Sequence, residues 1–249
     1  MPPRLYIDQA IHIDDRFALP ASAARHAQVL RLQPGAVIVL FNGHGGEWTA
    51  TVSGMGRRDV DVQVLEHIAA DRELACGVTL ALGMPTNDRM DHLVEKATEL
   101  GVTEIQPLLC ERSVLRLSGE RAEKRVAHWQ AVAIAACEQS GRTRVPRIAP
   151  VLNLSAWLQT LAGRADESRL LLSLRQAQPL QGSTAGGLLC LSGPEGGLTE
   201  AEEAAAQAQG FVPVSLGARV LRADTAPLAL LAHVALTHEN PREPALKSR

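Results

Sequence analysis

Up to about residue 75 the chain carries short runs in which apolar and polar positions alternate, or which are apolar throughout, each bounded by glycine-bearing turns. They are AVIVLFNG (36–43), EWTATVSG (47–54) and DVDVQVLEHI (59–68). A period of two puts every second side chain on one face, so each run predicts a strand. One segment has helical spacing instead: PASAARHAQVLRL (20–32), in which Ala24, Ala27, Val29, Leu30 and Leu32 are expected to form the apolar side. The first part of the chain therefore reads as a small β-rich domain with one or two helices.

Beyond residue 75 the rhythm changes. Apolar runs that predict buried strands, GVTLALGM (77–84), EIQPLLC (104–110), RLLLSL (169–174), GLLCLSG (187–193) and FVPVSLG (211–217), are separated by helical stretches such as RMDHLVEKATELG (89–101) and RAEKRVAHWQAVAIAACEQSG (121–141). Strand and helix in alternation imply an α/β fold, a parallel sheet with helices on its faces. The tail ENPREPALKSR (239–249) has no such pattern and is expected to fray.

Ligands of such sheets settle at the carboxyl ends of strands, where loops lead into helices. LLCLSGPEGGLTEAEE (188–203) has that layout. The apolar Leu188–Leu191 fits a central strand, Gly193–Gly197 follows as a loop, and Thr199 with Glu202 three positions on forms a capping box that starts a helix. The glycines of the loop let main-chain groups approach a ligand, and Pro194 holds one φ fixed. Neither the GxGxxG spacing of a dinucleotide fold nor the Lys-Ser/Thr of a P-loop is present. Taken alone, GPEGG reads equally well as an ordinary tight turn. FVPVSLGARVLRADTAPLALLAHVAL (211–236) repeats the scheme: strand, Gly217, a short irregular stretch, and a helix from about Thr225. Two such loops are expected to form opposite walls of one pocket, with Arg222 and Asp224 at its edge or simply paired with one another.

Composition narrows the class. The 249 residues are 46% hydrophobic and 21% charged, enough for a sizeable core, but only 3% aromatic, so that core must be aliphatic and alanine-rich. Apolar runs stop well short of the roughly 18 residues of a membrane span. The start, MPPRLYIDQA, lacks an apolar signal region, and a cytoplasmic protein is expected. Cys76, Cys110, Cys137 and Cys190 are scattered without a CxxC pair or a neighbouring His pair, which suggests buried thiols, no disulfide framework and no metal. A formal net charge of -2 argues against a general polyanion binder. Between Cys110 and Pro150, however, 8 basic residues stand against 4 acidic ones. Such an excess suits a phosphate-facing surface, or equally a solvated helix face with ordinary Glu/Arg pairing.

LSGPEGGLTEAEE followed by VSLGARVLRADTAPLAL resembles the C-terminal signature of the SPOUT-class RNA methyltransferases and, within that class, the ribosomal RNA small subunit methyltransferase E family. RHAQVLRLQPG, LFNGHGGEW, DHLVEKATELGVTEIQPLLCERSV and AIAACEQSGRTRVPRI extend the likeness, in order, along nearly the whole chain. Two departures stand out: Asp224 occupies the place where the family usually has Glu, and MPTNDRMDH offers only Arg89 where the family often carries lysines.

The resemblance implies a PUA-like RNA-binding domain over residues 1–72. Over residues 73–249 it implies a SPOUT methyltransferase domain with a C-terminal trefoil knot. It further implies a homodimer, S-adenosylmethionine as cofactor, and methylation of uracil N3 of a uridine in 16S ribosomal RNA, free or in the small subunit. Ribose 2′-O methylation of another RNA and a non-catalytic assembly role are the alternatives. By the same resemblance Ser192, Gly193, Pro194, Glu195, Gly196, Gly197, Leu216, Gly217, Leu221, Arg222 and Thr225 would hold the cofactor. Arg222 would stabilise charge, Glu195 or Asp224 would act as base or orienting carboxylate, and Arg25, His26, Arg112, Arg142 and Arg144 would contact RNA. His26, Tyr6 and Phe41 have an alternative reading as structural residues.

Overall fold

The computed structural model of the chain describes residues 2–161, 167–180 and 186–237; the tail 239–249 lies outside them. The chain forms two compact units, residues 1–73 with 134–145, and residues 74–133 with 146–249. The break after residue 73 falls beside the expected boundary at 72/73, but residues 134–145 count with the first unit, which a boundary drawn along the chain does not separate.

In the first unit, β1 (Arg4–Tyr6), β2 (Arg16–Ala18), β3 (Val37–Phe41), β4 (Glu47–Met55) and β5 (Val60–Ile68) form one sheet in the order β1-β3-β4-β5-β2. β1 and β3 are parallel and the other pairs antiparallel. Alternate residues Ile38 and Leu40 of β3, and Val60, Val62 and Val64 of β5, are buried in one core with Leu5 and the helix α1 (Ala21–Val29). α1 turns Ala23, Ala24 and Ala27 inward. Val29 and Leu30, expected on that face, are 72% and 44% exposed. The helix ends at Val29, and the inward-facing stripe is of alanines, which have no bulk to hold a helix away from the core beneath it.

The second unit is the α/β sheet that strand–helix alternation predicts. Its elements are β6 (Val78–Gly83), α2 (Asn87–Glu99), β7 (Glu104–Leu109), α3 (Gly119–Ser140, counted with the first unit from Ile134), β8 (Arg147–Ile148), β9 (Leu152–Asn153) and α4 (Leu154–Gln159). They continue with β10 (Glu167–Leu172), β11 (Gln178–Pro179), β12 (Gly187–Ser192), α5 (Glu200–Ala208), β13 (Val212–Ser215) and α6 (Thr225–Thr237). The strands are parallel and run β11-β13-β10-β12-β6-β7-β8, with β9 also on β7.

Both faces of this sheet are covered, which is why its strands read as continuous apolar runs. On β12, Leu188 and Cys190 enter the core shared with Met90, Leu93 and Val94 of α2, Trp129 of α3 and Leu230 and Leu231 of α6. Leu189 and Leu191 enter the opposite core, with Trp157 of α4 and Ala206 of α5. Each buried leucine stabilises the unit by roughly 1.5–3 kcal/mol, so the sheet is the rigid base from which loops project. No helix among the described residues is long and apolar enough to cross a membrane.

Candidate active site

In a parallel sheet every strand presents its carboxyl end at the same edge. β10 pairs with β12 on one side and β13 on the other, so the loops after these strands are neighbours. They enclose a cavity of about 530 Å³. Residues 172–175 at the end of β10, 192–198 at the end of β12, and 214–217 with 219–223 at the end of β13 form its walls, with Arg89, Arg112, Glu203 and Ala226.

The loop after β12 is anchored at several points. Gly197 N–H donates to the Pro194 carbonyl at 2.8 Å, closing a turn. The Glu195 carboxylate accepts from the N–H of Thr86, just ahead of α2, at 3.1 Å and from Arg89 at 3.4 Å. Arg112 donates to the Gly196 carbonyl at 3.0 Å. Gly83 at the end of β6 makes room: a Cβ there would stand 2.5 Å from Pro194 Cδ and 3.0 Å from Cys110 Sγ. The capping box at the start of α5 is formed, with Thr199 Oγ1 accepting from Glu202 N–H and the Glu202 carboxylate accepting from Thr199 N–H.

Of the residues expected to hold a cofactor, Ser192, Gly193, Pro194, Glu195, Gly196, Gly197, Leu216, Gly217, Leu221 and Arg222 line the cavity. Thr225, expected with them, and Asp224, expected as a base or orienting carboxylate, are not among the lining residues. Thr225 begins α6, its N–H donating to the Arg222 carbonyl at 3.0 Å, and the Asp224 carboxylate accepts from Thr225 Oγ1 at 3.4 Å. The irregular stretch turns into a helix at this point, with Asp224 partly buried and Thr225 exposed. Arg222 and Asp224 form no ion pair with one another among the described residues. Arg219 and Arg222 both line the cavity, are exposed, and carry guanidinium groups that no carboxylate among the described residues neutralises. Glu195 is the opposite case: its contacts with Thr86 and Arg89 suit an anchor and orienting group rather than a free base.

Sequence reasoning missed the wall after β10. Glu203 of α5 is buried and accepts from Ser173 Oγ at 3.1 Å, while Arg175 lies 3.6 Å from it and donates to the Leu198 carbonyl at 3.4 Å. The strand was legible in RLLLSL, but SLRQ has no glycine to mark it as a binding loop.

The residues expected on RNA separate into different environments. Arg112 lines the cavity and spends a donor on the loop. Arg25 is exposed on α1, and His26 pairs with Glu138 at 3.2 Å. Burial raises the Glu138 carboxyl above its ordinary value, against the Tyr6 N–H and His26 that favour its charged form. Arg142 is a correction: it is buried, ion-paired with Glu73, and its carbonyl accepts from Arg4. An internal salt bridge uses its charge, so its guanidinium is not a surface contact. Arg144, two residues on, is exposed beside His44 and His67. Phe41 is fully buried, with Tyr6 against its edge and the Arg4 guanidinium 5.0 Å from its ring centre.

Comparison with known proteins agrees in both units. Residues 72–235 match the family model of an RNA methyltransferase domain, and residues 19–65 that of an RNA methyltransferase PUA domain. Ribosomal RNA small subunit methyltransferase E of Bacillus subtilis is 31% identical over 93% of this chain and 94% of its own. The protein of the same name from Synechocystis is 36% identical over 83% of this chain and 68% of its own. The crystal structure of ribosomal RNA small subunit methyltransferase E from Neisseria gonorrhoeae bound to S-adenosyl methionine superposes with a TM-score of 0.90 at 38% identity, covering 95% of this chain and 98% of that one.

Proposed function

Since the chain belongs to the RNA methyltransferase family, and within it to ribosomal RNA small subunit methyltransferase E, we infer that it methylates N3 of a uridine in 16S ribosomal RNA, using S-adenosylmethionine. The observation that carries this reading is the meeting of Gly193–Gly197 and Leu216–Leu221 in one cavity, with the Arg222 guanidinium free of any carboxylate there.

The residues present fit that cofactor. The cavity falls within the roughly 300–1,000 Å³ typical of small-molecule sites. Leu172, Leu216, Val220 and Leu221 offer an apolar surface to a nucleoside, and the glycine loops offer main-chain groups to its polar edges. When bound, the cofactor supplies a methyl group already activated by a sulfonium.

The remaining work falls to the protein. Uracil N3 carries a proton at neutral pH and becomes nucleophilic only as that proton leaves, so charge developing at O2 or O4 needs a fixed cation. Arg222 fills that role, held at the cavity edge by its own carbonyl, which accepts the first N–H groups of α6. Arg112, Glu195 and Arg89 keep the β12 loop in place, which is the positioning that in-line transfer requires. Asp224 shapes the start of α6.

The first unit is the RNA-binding domain of this reading, with Arg25 and Arg144 as surface cations. A homodimer, the trefoil knot and a cytoplasmic location belong to it as well; the apolar α6, with Leu236 80% exposed, supports the dimer. The relatives' names as methyltransferases count against the non-catalytic assembly role. Mass mapping of ribosomal RNA from cells lacking the protein, before and after it is restored, tests the assignment. Loss and return of one N3-methyluridine is the expected result, and an unchanged base with an altered ribose 2′-oxygen overturns it.

A further inference from the structure

The first unit contains a second cleft, of about 270 Å³, outside the proposed active site. Its walls are the turn at His44–Gly46, the end of β5 with the residues running to Asp71, and Arg144. Main chain holds these segments together: Gly45 N–H donates to the Thr143 carbonyl at 3.1 Å, Gly46 N–H to the Ala70 carbonyl at 3.3 Å, and His44 forms a β-bridge with Arg144. The backbone donors of His44, Gly45 and Gly46 are therefore used, and what that turn offers a ligand is side chains.

Those side chains are two imidazoles and a guanidinium, all exposed, none with a hydrogen-bond or ion-pair partner among the described residues. The one acid in the wall, Asp71, accepts from Glu73 N–H at 3.0 Å. The geometry is built closely around the basic groups. Gly46 has φ +71°, and a Cβ there would stand 2.5 Å from His67 Nε2, so only glycine leaves room for that edge of the imidazole. A Cβ on Gly45 would stand 3.0 Å from Arg144 Nη2. Trp48 packs against the His67 ring, with ring centroids 4.7 Å apart. A permanent cation flanked by two N–H donors is a receptor for a compact oxyanion. The cleft lies under the roughly 300 Å³ of a complete small-molecule site, so it takes a part of a larger ligand.

Residues 1–73 with 134–145 hold 10 acidic and 9 basic residues, so a diffuse positive field does not explain affinity for a polyanion. Recognition has to come from a point contact. We propose that Arg144, His44 and His67 hold one phosphodiester group of the single-stranded RNA substrate. The proposal rests on the RNA methyltransferase reading above and adds to it a specific subsite on the first unit.

The test measures anisotropy of a short fluorescein-labelled single-stranded RNA on the full-length protein across a salt series. Replacing Arg144→Gln and His67→Gln together is expected to weaken binding about tenfold, the loss of one charge-assisted contact. The log–log salt slope should fall by about 0.7, the value of a single phosphate on a single strand. S-adenosylmethionine affinity, read by calorimetry, should stay unchanged, and Arg144→Lys should restore most of the slope, which a packing role would not allow. Should the parent protein bind and methylate RNA while the double variant keeps the same affinity and slope, the subsite is wrong and the enzymatic reading stands. Should the double variant lose cofactor binding as well, the residues are structural and the subsite is again wrong. A parent protein that binds no RNA overturns both.

Discussion

Arg112 Nη1 lies 3.0 Å from the carbonyl oxygen of Gly196, and a Cβ on Gly196 would stand 3.0 Å from the Cβ of Arg112. The arginine is both a hydrogen-bond donor and a packing surface for the glycine loop. Arg112→Ala is therefore expected to raise the Kd for S-adenosylmethionine about tenfold, as one charge-assisted hydrogen bond and its packing are lost. Isothermal titration calorimetry reads this directly, and an unchanged Kd removes Arg112 from the loop's support.

Arg222→Ala tests the chemistry rather than the scaffold. Its guanidinium has no carboxylate partner among the described residues and is exposed, so the melting temperature should hardly move. Methyl transfer should fall by about 100-fold or more, the usual cost of removing a charge-stabilising donor. Single-turnover kinetics with radiolabelled cofactor measures it, and near-normal turnover takes Arg222 out of the mechanism.

Gly83→Ala probes the approach of β6 to the loop. The added methyl would sit 2.5 Å from Pro194 Cδ and 2.6 Å from its nitrogen, a collision with backbone that no side-chain rotation relieves. A destabilisation of about 1–3 kcal/mol is expected. Because Pro194 must move, cofactor affinity should weaken too. Urea denaturation and calorimetry on the same preparation separate the two effects.

Glu47 is buried and held by Arg4 and Arg72. Burial works to raise its carboxyl, but the hydrogen bonds and charges of the two arginines outweigh it and bring it below its ordinary value of 4.5. A carboxyl lowered on folding contributes stability that is present above its unfolded value and is lost as pH falls through the folded value. Glu47→Gln should therefore cost about 3 kcal/mol at neutral pH, since it leaves a buried charge unpaired. The gap from the parent protein should shrink below about pH 4.5. Chemical denaturation at neutral and acidic pH checks the sign; a gap that widens on acidification refutes it.

Cys110 and Cys137 are pushed up to about 12 by burial, and Cys190, also buried, is raised further. The thiolate is the reactive form, so none of these should alkylate with iodoacetamide in the native protein near pH 8, while the partly buried Cys76 should. Peptide mass mapping before and after denaturation distinguishes them.

How much of this was legible in advance depends on how local the signal was. Gly193–Gly197, Thr199 and Glu202 lie within a few positions of one another, and a strand, a tight loop and a capped helix are all properties of that short window. The wall at Ser173 and Arg175 was not legible, because nothing near SLRQ says that β10 is inserted between β12 and β13. Arg142 and Arg144 look alike to a count of charges. Only packing shows that the first is consumed by Glu73 and the second is free to face solvent.

The amino-acid sequence by itself determined the alternation of strands and helices, the β-rich start, the glycine loop with its capping box, and through its motifs the family. These follow from periodicity and turn chemistry, which act between residues close together along the chain. The tertiary structure alone decided which loops share the cavity, that Asp224 and Thr225 are not among the residues lining it, and that Arg142 is internal. Strand order and burial are settled by pairings between segments far apart in the chain, and the energy of such pairings is not written in either segment alone.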